Sequence, residues 1–380
     1  MTQADPPLTT HTRLSFLAVR GDAREHELST QRAIAERLAA LLGCSYEGQV
    51  DPGVPTGALG YLVPNDTLTS LETAERFGVS SEADLFGGVV PVPYMATKTI
   101  THPLVRPDAQ APDGWCAAFG DRVRDVVLPG HSTFNLADTR SAARRLLAEG
   151  PVRIKLAYGI GGAGQCIVHD EAQLNAGLIS LDAAAHASDG IVVERNLEQV
   201  KTYSVGLLLV GTMQAAYFGT QRLTRNAHDQ AVYGGSSLTV VRGGFDALER
   251  VAAGDAQLAR AVAMAKAYHD AALDCFAGMF ASRCNYDVVQ GVDARGQTVA
   301  GVLEQSWRIG GASGAEVAAL EAMQADASLD VVRASTVEVH GSQAAVPDGA
   351  TVYYAGDDPH VGRITKYAQV DRHADPRTED

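Results

Sequence analysis

Residues 154–168, IKLAYGIGGAGQCIV, set a lysine, Lys155, in an apolar strand-like run just ahead of glycines at 159, 161, 162 and 164. Only five of the chain's 31 basic residues are lysines (98, 155, 201, 266 and 366), so a lysine in a buried-looking strand needs a reason. A compact ammonium with rotatable donors suits phosphate; a snorkelling or paired side chain is the plain structural alternative. Three chemistries compete for the loop. Gly159, Gly161 and Gly164 fit the spacing of a dinucleotide fingerprint, but that fingerprint needs a helix starting inside the loop, and strand-like QCIV follows. Gly159 and Gly164 match a P-loop's glycine spacing, yet Gln165 and Cys166 replace its Lys and Ser or Thr. A strand, glycine loop and strand, with backbone N–H groups folding over a polyphosphate and Lys155 reaching it from the first strand, uses every residue. A glycine-rich hairpin without a ligand stands beside these readings.

The second constellation is YDVVQGVDARGQTVAGVLEQSWRIGGAS, residues 286–313. Asp287 lies nine residues before Gly296 and Glu304 eight after it, so a hairpin turning at that glycine brings the two carboxylates together at its open end. Adjacent carboxylates are costly without a cation between them. Hard oxygen ligands beside a polyphosphate loop point to Mg2+, which takes one or two carboxylates and completes its octahedron with phosphate and water. Either acid alone reads more simply as a solvated strand end.

With Lys155, the glycine loop and this hairpin in order, the chain resembles the ATP-grasp superfamily of carboxylate–amine and carboxylate–thiol ligases, and within it a bacterial branch. PVRIKLAYGIGGAGQCIV is similar to the family's phosphate-covering hairpin, IVVERNL to the strand and hinge that hold adenine, and DVVQ…VLEQSWRIGG to its metal hairpin ending in Glu-x-Asn-x-Arg. The likeness runs from about 129 to 312. It implies that Lys155 contacts the ATP phosphates, with Lys98 as a second phosphate lysine, and that Gly159, Gly161, Gly162 and Gly164 close over them. Glu194, Arg195, Asn196 and Leu197 would form the adenine hinge, largely through backbone groups. Asp287 and Glu304 would hold Mg2+, with Ser306 in place of the family's asparagine, a poorer ligand. Arg308 would face the substrate carboxylate as the second catalytic residue beside Lys155. Lys201 or Thr202 stands where a ribose-binding glutamate is expected, and Glu198 is the nearby substitute.

The activity so implied is ATP- and Mg2+-dependent joining of a small-molecule carboxylate to an amine or thiol through an acyl phosphate. A kinase on the same scaffold, or a nonenzymatic ATP-binding protein, is the alternative.

The elements that must position these residues follow from periodicity. RLSFLAV (13–19), a helix over 25–43 with Ile34, Leu38, Leu41 and Leu42 on one face, GALGYLVP (57–64) and a helix over 69–78 capped by Ser70 or Thr69 form a small α/β unit with a parallel sheet. A proline-rich connector follows from about 89 to 129. The expected class is α/β (α+β): an N-terminal unit over 1–128, an ATP-grasp domain over 129–365 (glycine-loop part about 150–197, metal-hairpin part about 198–330), and a flexible tail over 366–380. Within the second domain the pattern gives a helix over 136–149, strands 202–210 and 212–219 turning at Gly211, and one long helix over 256–283. QRLTRNAHDQAVYGGSSL (221–238) reads as a polar loop carrying Arg222, Arg225, His228 and Tyr233. Trp307 reads as core.

A formal charge of −14 with no basic cluster disfavours binding to nucleic acid or anionic membrane. Five cysteines with no CxxC pair argue against a disulfide framework or structural zinc and for a reducing cytoplasm. VGLLLVG (205–211) is too short to span a bilayer. Oligomeric state and the two substrates are not encoded in any of these patterns.

Overall fold

The computed structural model describes residues 11–53, 59–158, 164–179, 189–226, 229, 231–341 and 344–371. The expected contacts at Gly159, Gly161 and Gly162, and His228 of the polar segment, lie outside the described residues.

The N-terminal unit comprises β1 (Arg13–Leu17), α1 (Glu25–Leu42), β2 (Ser45–Val50) and β3 (Tyr61–Pro64), a parallel sheet in the order β2-β1-β3. The apolar stripe of α1 buries Ile34, Leu38 and Leu41, and Gly43 ends the helix with φ +69°, a left-handed conformation that costs glycine nothing. Helix α2 (Leu71–Arg76) starts where the Ser70 hydroxyl accepts from the Thr73 N–H, as its sequence predicts. The connector carries β4 (Gly88–Val89), 3-10 turns at Pro93–Ala96 and Lys98–Thr101, and α3 (Ala117–Arg122).

Next come β5 (Gly130–Thr133), α4 (Leu136–Leu147), β6 (Val152–Leu156), β7 (Gln165–Val168), α5 (Glu171–Ile179) and β8 (Ile191–Arg195). The four strands form an antiparallel sheet, β5-β8-β6-β7, covered by α4 and α5 through Ala142, Leu146, Leu174 and Leu178. Strands β6 and β7 are a hairpin with Lys155 opposite Gln165. A strand leaves the glycine loop, so the dinucleotide fingerprint, which needs a helix there, is excluded. Cys166 on β7 is an exposed free thiol.

The third body contains β9 (Glu198–Val210), β10 (Met213–Arg225), β11 (Ala231–Arg242), α6 (Phe245–Ala252), α7 (Ala256–Cys275), β12 (Phe280–Ala281), β13 (Arg283–Val292), β14 (Thr298–Ser306), α8 (Ser313–Ala325), β15 (Val331–His340), β16 (Thr351–Asp358) and β17 (Gly362–Val370). Eight strands form one sheet in the order β14-β13-β9-β10-β11-β15-β17-β16. Period-2 alternation divides its side chains: Val205, Ala216 and Val241 join the core under α6 and α7, while Leu208, Tyr217 and Val240 join the one under α1 and α8. On β9, Gly206 lies opposite Tyr217 of β10, and a Cβ there would sit 2.2 Å from the phenol ring. The mixed α/β class and the N-terminal parallel sheet match expectation.

Four segments differ from it. The helix expected over 256–283 ends at Cys275; Gly278 at φ +85° turns the chain, and Phe280 leaves the helix to pair with Val89. The expected polar loop over 221–238 is mostly strand, because β10 and β11 stay paired out to Arg225 and Ala231, with Gln221, Arg222, Leu223 and Arg225 exposed on β10 and Gly234, Gly235 and Ser236 buried on β11. Arg222 and Arg225 are therefore on β10, and Tyr233 on β11. The expected tail from 366 is ordered through Val370, since β17 lies between β15 and β16 with Lys366, Tyr367 and Ala368 buried. The four-stranded sheet begins at Gly130, ahead of the expected start of the glycine-loop part at about 150.

The N-terminal unit is joined to the large sheet by buried polar contacts. The Thr67 hydroxyl donates to the Trp307 carbonyl over 3.2 Å, and the Ser282 hydroxyl donates to the Leu85 carbonyl.

Candidate active site

Asp287 and Glu304 are direct cross-strand partners on β13 and β14. The register shifts between Asp287 and Val288, so that Val288 pairs with Val302 and Leu303 is the extra residue of a β-bulge. The bulge decides which way Glu304 faces. On the turn side of it, Val288, Ala300 and Val302 enter the α7 core; without the bulge, Glu304 would follow them. One inserted residue reverses the phase, as bulges do, and places Glu304 with Asp287 on the opposite face. Asn285 and Ser306 are the next pair on that face.

Asp287 accepts from Ser204 Oγ (3.0 Å), Asn285 Nδ2 (3.0 Å) and Gln221 Nε2 (3.1 Å). Burial, and then the charge of Glu304, hold its carboxyl above the ordinary aspartate range despite these donors. Glu304 meets Lys98 at 2.5 Å. The turn carrying Lys98 is placed by Gln305, whose amide donates to the carbonyls of Met95 (3.1 Å) and Thr97 (2.8 Å), and by the Lys98 N–H donating to the Ala157 carbonyl. Lys98 thus connects the acid hairpin to the end of β6, where the glycine loop departs.

Asp287, Glu304, Ser306, Arg308, Lys98 and Tyr158 line one cleft of about 1000 Å³. Arg308 lies 3.6 Å from Asp66 and donates to its neighbour Ile309's carbonyl; burial lowers its pKa, which Asp66 partly offsets. Behind it, Arg283 and Glu316 form an ion pair at 2.6 Å, 2% and 0% exposed at the side chain. Arg283 also donates to the Arg308 carbonyl (2.7 Å), and the Tyr217 hydroxyl donates to Glu316 (2.7 Å). This pair fixes the chain at the exit of β14. Trp307, 1% exposed, is core as expected, its indole N–H donating to Tyr286.

Lys155 is placed differently. Its ammonium lies 2.6 Å from Glu194, which also meets His102 at 3.2 Å, and all three residues are buried. Burial would raise the Glu194 carboxyl, but Lys155 and His102 outweigh it and hold the pKa low. Lys155 lines the four-stranded side and is not on the wall of the 1000 Å³ cleft. The expected hinge is the short link between β8 and β9. Arg195 pairs with Glu149 (2.6 Å), Asn196 accepts from Arg153 (2.9 Å), and Leu197 packs against Leu128 and Val289. Glu198 is exposed at the start of β9, and Gly164, at φ +70°, closes the loop onto β7. Lys201 stacks on the Tyr203 ring, 4.7 Å from its centre.

The donor set fits Mg2+. Two carboxylates with a hydroxyl and an amide beside them are hard ligands for an ion that completes its shell with phosphate and water. Among the described residues no group of three or more His, Cys, Asp or Glu is placed to hold a metal ion by itself. Ser204, Gln221, Asn285, Arg283 and Asp66 were absent from the sequence reading. Asn285, two residues before Asp287 on a strand, was accessible from period 2; the others are brought in by sheet order alone.

No helix among the described residues is long and apolar enough to cross a membrane. No curated protein matches the chain. Its fold is similar to that of a Campylobacter jejuni biotin carboxylase solved with β,γ-ATP (11% identity, 94% of this chain and 87% of that one, TM-score 0.49). It is also similar to a Thermotoga maritima phosphoribosylamine–glycine ligase (13% identity, 94% and 92%, TM-score 0.49) and a Bacillus anthracis D-alanine–D-alanine ligase (12% identity, 78% and 87%, TM-score 0.45). One family profile matches residues 16–368, and the chain belongs to that family, described as protein of unknown function (DUF3182).

Proposed function

We propose that this chain is an ATP-grasp enzyme that uses ATP and Mg2+ to join a small-molecule carboxylate to an amine or, less favoured by the chemistry, a thiol. The observation that supports it is the cleft in which Asp287 and Glu304 face each other and Lys98 ties Glu304 to the mouth of the glycine hairpin. Asp287 and Glu304, with Ser306 beside them, would hold Mg2+. When bound, the ion would neutralise the phosphate oxygens.

In this reading Lys98 and Lys155 neutralise phosphate charge, Lys155 exchanging Glu194 for the nucleotide, and Gly164 and its loop exclude water. Arg308 orients the substrate carboxylate. A carboxylate oxygen attacks the γ-phosphorus, the bond to the β-phosphate oxygen breaks, and ADP leaves. The amine nitrogen then attacks the acyl carbon, the bond to the phosphate oxygen breaks, and inorganic phosphate and one proton are released. Positioning and charge neutralisation supply the catalysis, with no covalent enzyme intermediate.

Calorimetric titration of ATP with and without Mg2+, followed by ADP-release screening against pooled carboxylates and amines, tests this. Wild type should bind ATP only weakly without Mg2+, and Glu304→Gln should weaken MgATP binding more than tenfold while keeping the wild-type circular dichroism spectrum. Equal affinity with and without the ion, or in the variant, rejects the assignment. A stable phosphorylated product formed without an amine would make it a kinase.

A further inference from the structure

The cleft does not end at Arg308. It continues between α1 and the C-terminal strands, where His26, Gln31 and Ile34 of α1 face Glu338 of β15 and Lys366 of β17. His26 is 5% exposed, and neither ring nitrogen has a hydrogen-bond partner among the described residues; the Gln31 side-chain oxygen is also buried and unpartnered. Such groups normally find partners, and each left without one costs stability. Both residues line the cleft, the three atoms themselves sealed just beneath its surface, so a rotation of either side chain brings them to whatever fills it.

The wall also restricts the charge of the occupant. Lys366 and Glu338 are a largely buried pair at 2.9 Å, neutralising one another while leaving ammonium hydrogens and a carboxylate oxygen to spare. Burial, and then the charge of Lys366, push His26 down to about 4, so at neutral pH its ring offers one donor and one acceptor. An anion arriving here would find a cation already paired. A group that both donates and accepts satisfies Gln31, His26, Lys366 and Glu338 together, and Ile34 supplies an apolar flank.

The structure assigns this chamber as the binding site for the non-reacting end of the substrate, an uncharged group carrying both donors and acceptors, of hydroxyl or carboxamide chemistry. The assignment rests on the ligase reading for the word substrate, though not for the binding itself. Four interstrand steps separate β13 from β15, and at ~4.8 Å each they put Glu338 roughly 19 Å along the sheet from Asp287. The substrate is therefore elongated, and the energy of its far end is available to hold the reacting end in place.

Ligand-observed saturation-transfer NMR on the full chain, without nucleotide, tests the chamber with three probes: myo-inositol for hydroxyls, succinamide for carboxamides and glutarate for anions. One neutral probe should bind, which tells hydroxyl from carboxamide, and glutarate should not. His26→Phe and Gln31→Leu should each weaken that binding about tenfold, the loss of one hydrogen bond at the upper end of its range. His26→Phe should melt no lower than wild type, because it removes two unsatisfied atoms. No binding of either neutral probe, stronger binding of glutarate, or binding unchanged in both variants overturns the assignment. MgATP titration of the same proteins separates the two ideas: nucleotide binding without chamber binding sinks only the chamber, and the converse sinks only the ligase.

Discussion

Replacing Arg283 by methionine would leave Glu316, 0% exposed at its side chain, with the Tyr217 hydroxyl as its remaining donor among the contacts described. Breaking a buried pair from one side costs roughly 3–5 kcal/mol, because the surviving charge can neither ionise comfortably nor reach water. Glu316→Leu should cost a similar amount by stranding the guanidinium. The double variant Arg283→Met/Glu316→Leu has no buried charge to strand. Its remaining penalty is the lost donor of the Arg308 and Ser306 carbonyls, about 2 kcal/mol together, because the Tyr217 hydroxyl keeps Asn285 Oδ1 as an acceptor. The double variant should therefore be more stable than either single one, which urea denaturation of all four proteins measures as a double-mutant cycle. If the two single losses merely add, mutual neutralisation is not what holds the pair. The cycle bears on the site as well, since the double variant also releases the backbone of residue 308 from its only charged donor among the described contacts.

Two smaller tests concern the frame around the cleft. His26 and His269 are both pushed down to about 4, in each case first by burial, from an ordinary value of 6.5. The unfolded chain binds those protons first, so stability should rise with pH between about 4 and 6.5. His26→Phe should remove roughly 3 kcal/mol of that rise, seen as a flatter urea-midpoint profile across the window; an unchanged slope would mean His26 is solvated. Gly206→Ala should cost about 1–3 kcal/mol by displacing the Tyr217 ring, and Tyr217→Leu in the same chain should recover part of it.

The hairpin at Gly296 was readable because two valine-rich arms, YDVVQGV and TVAGVLE, flank a polar DARGQ turn that contains a glycine. Pairing Asp287 with Glu304 followed from counting residues on each side of it. The bulge at Leu303 was not readable, since an inserted residue leaves no mark in composition, yet it is what turns Glu304 toward the cleft. Lys155 shows the reverse limit. Its unusual setting was evident, but its partner Glu194 lies on a neighbouring strand that the sequence assigned to the adenine hinge. The ribbon of β10 and β11 was taken for a loop because QRLTRN and GGSS carry too few apolar residues to show a period of two. His26 gave no signal at all: a histidine in the first turn of a helix is ordinary until the opposite wall, 340 residues later in the chain, is known.

The buried contacts that tie Thr67 to Trp307 and Ser282 to Leu85 have a mechanical consequence. They make the N-terminal unit and the eight-stranded sheet one frame across which Arg308 and α1 keep their separation. In the proposed reading that separation acts as a ruler: a molecule reaching from Arg308 to α1 has to match its length, since two fixed walls set it.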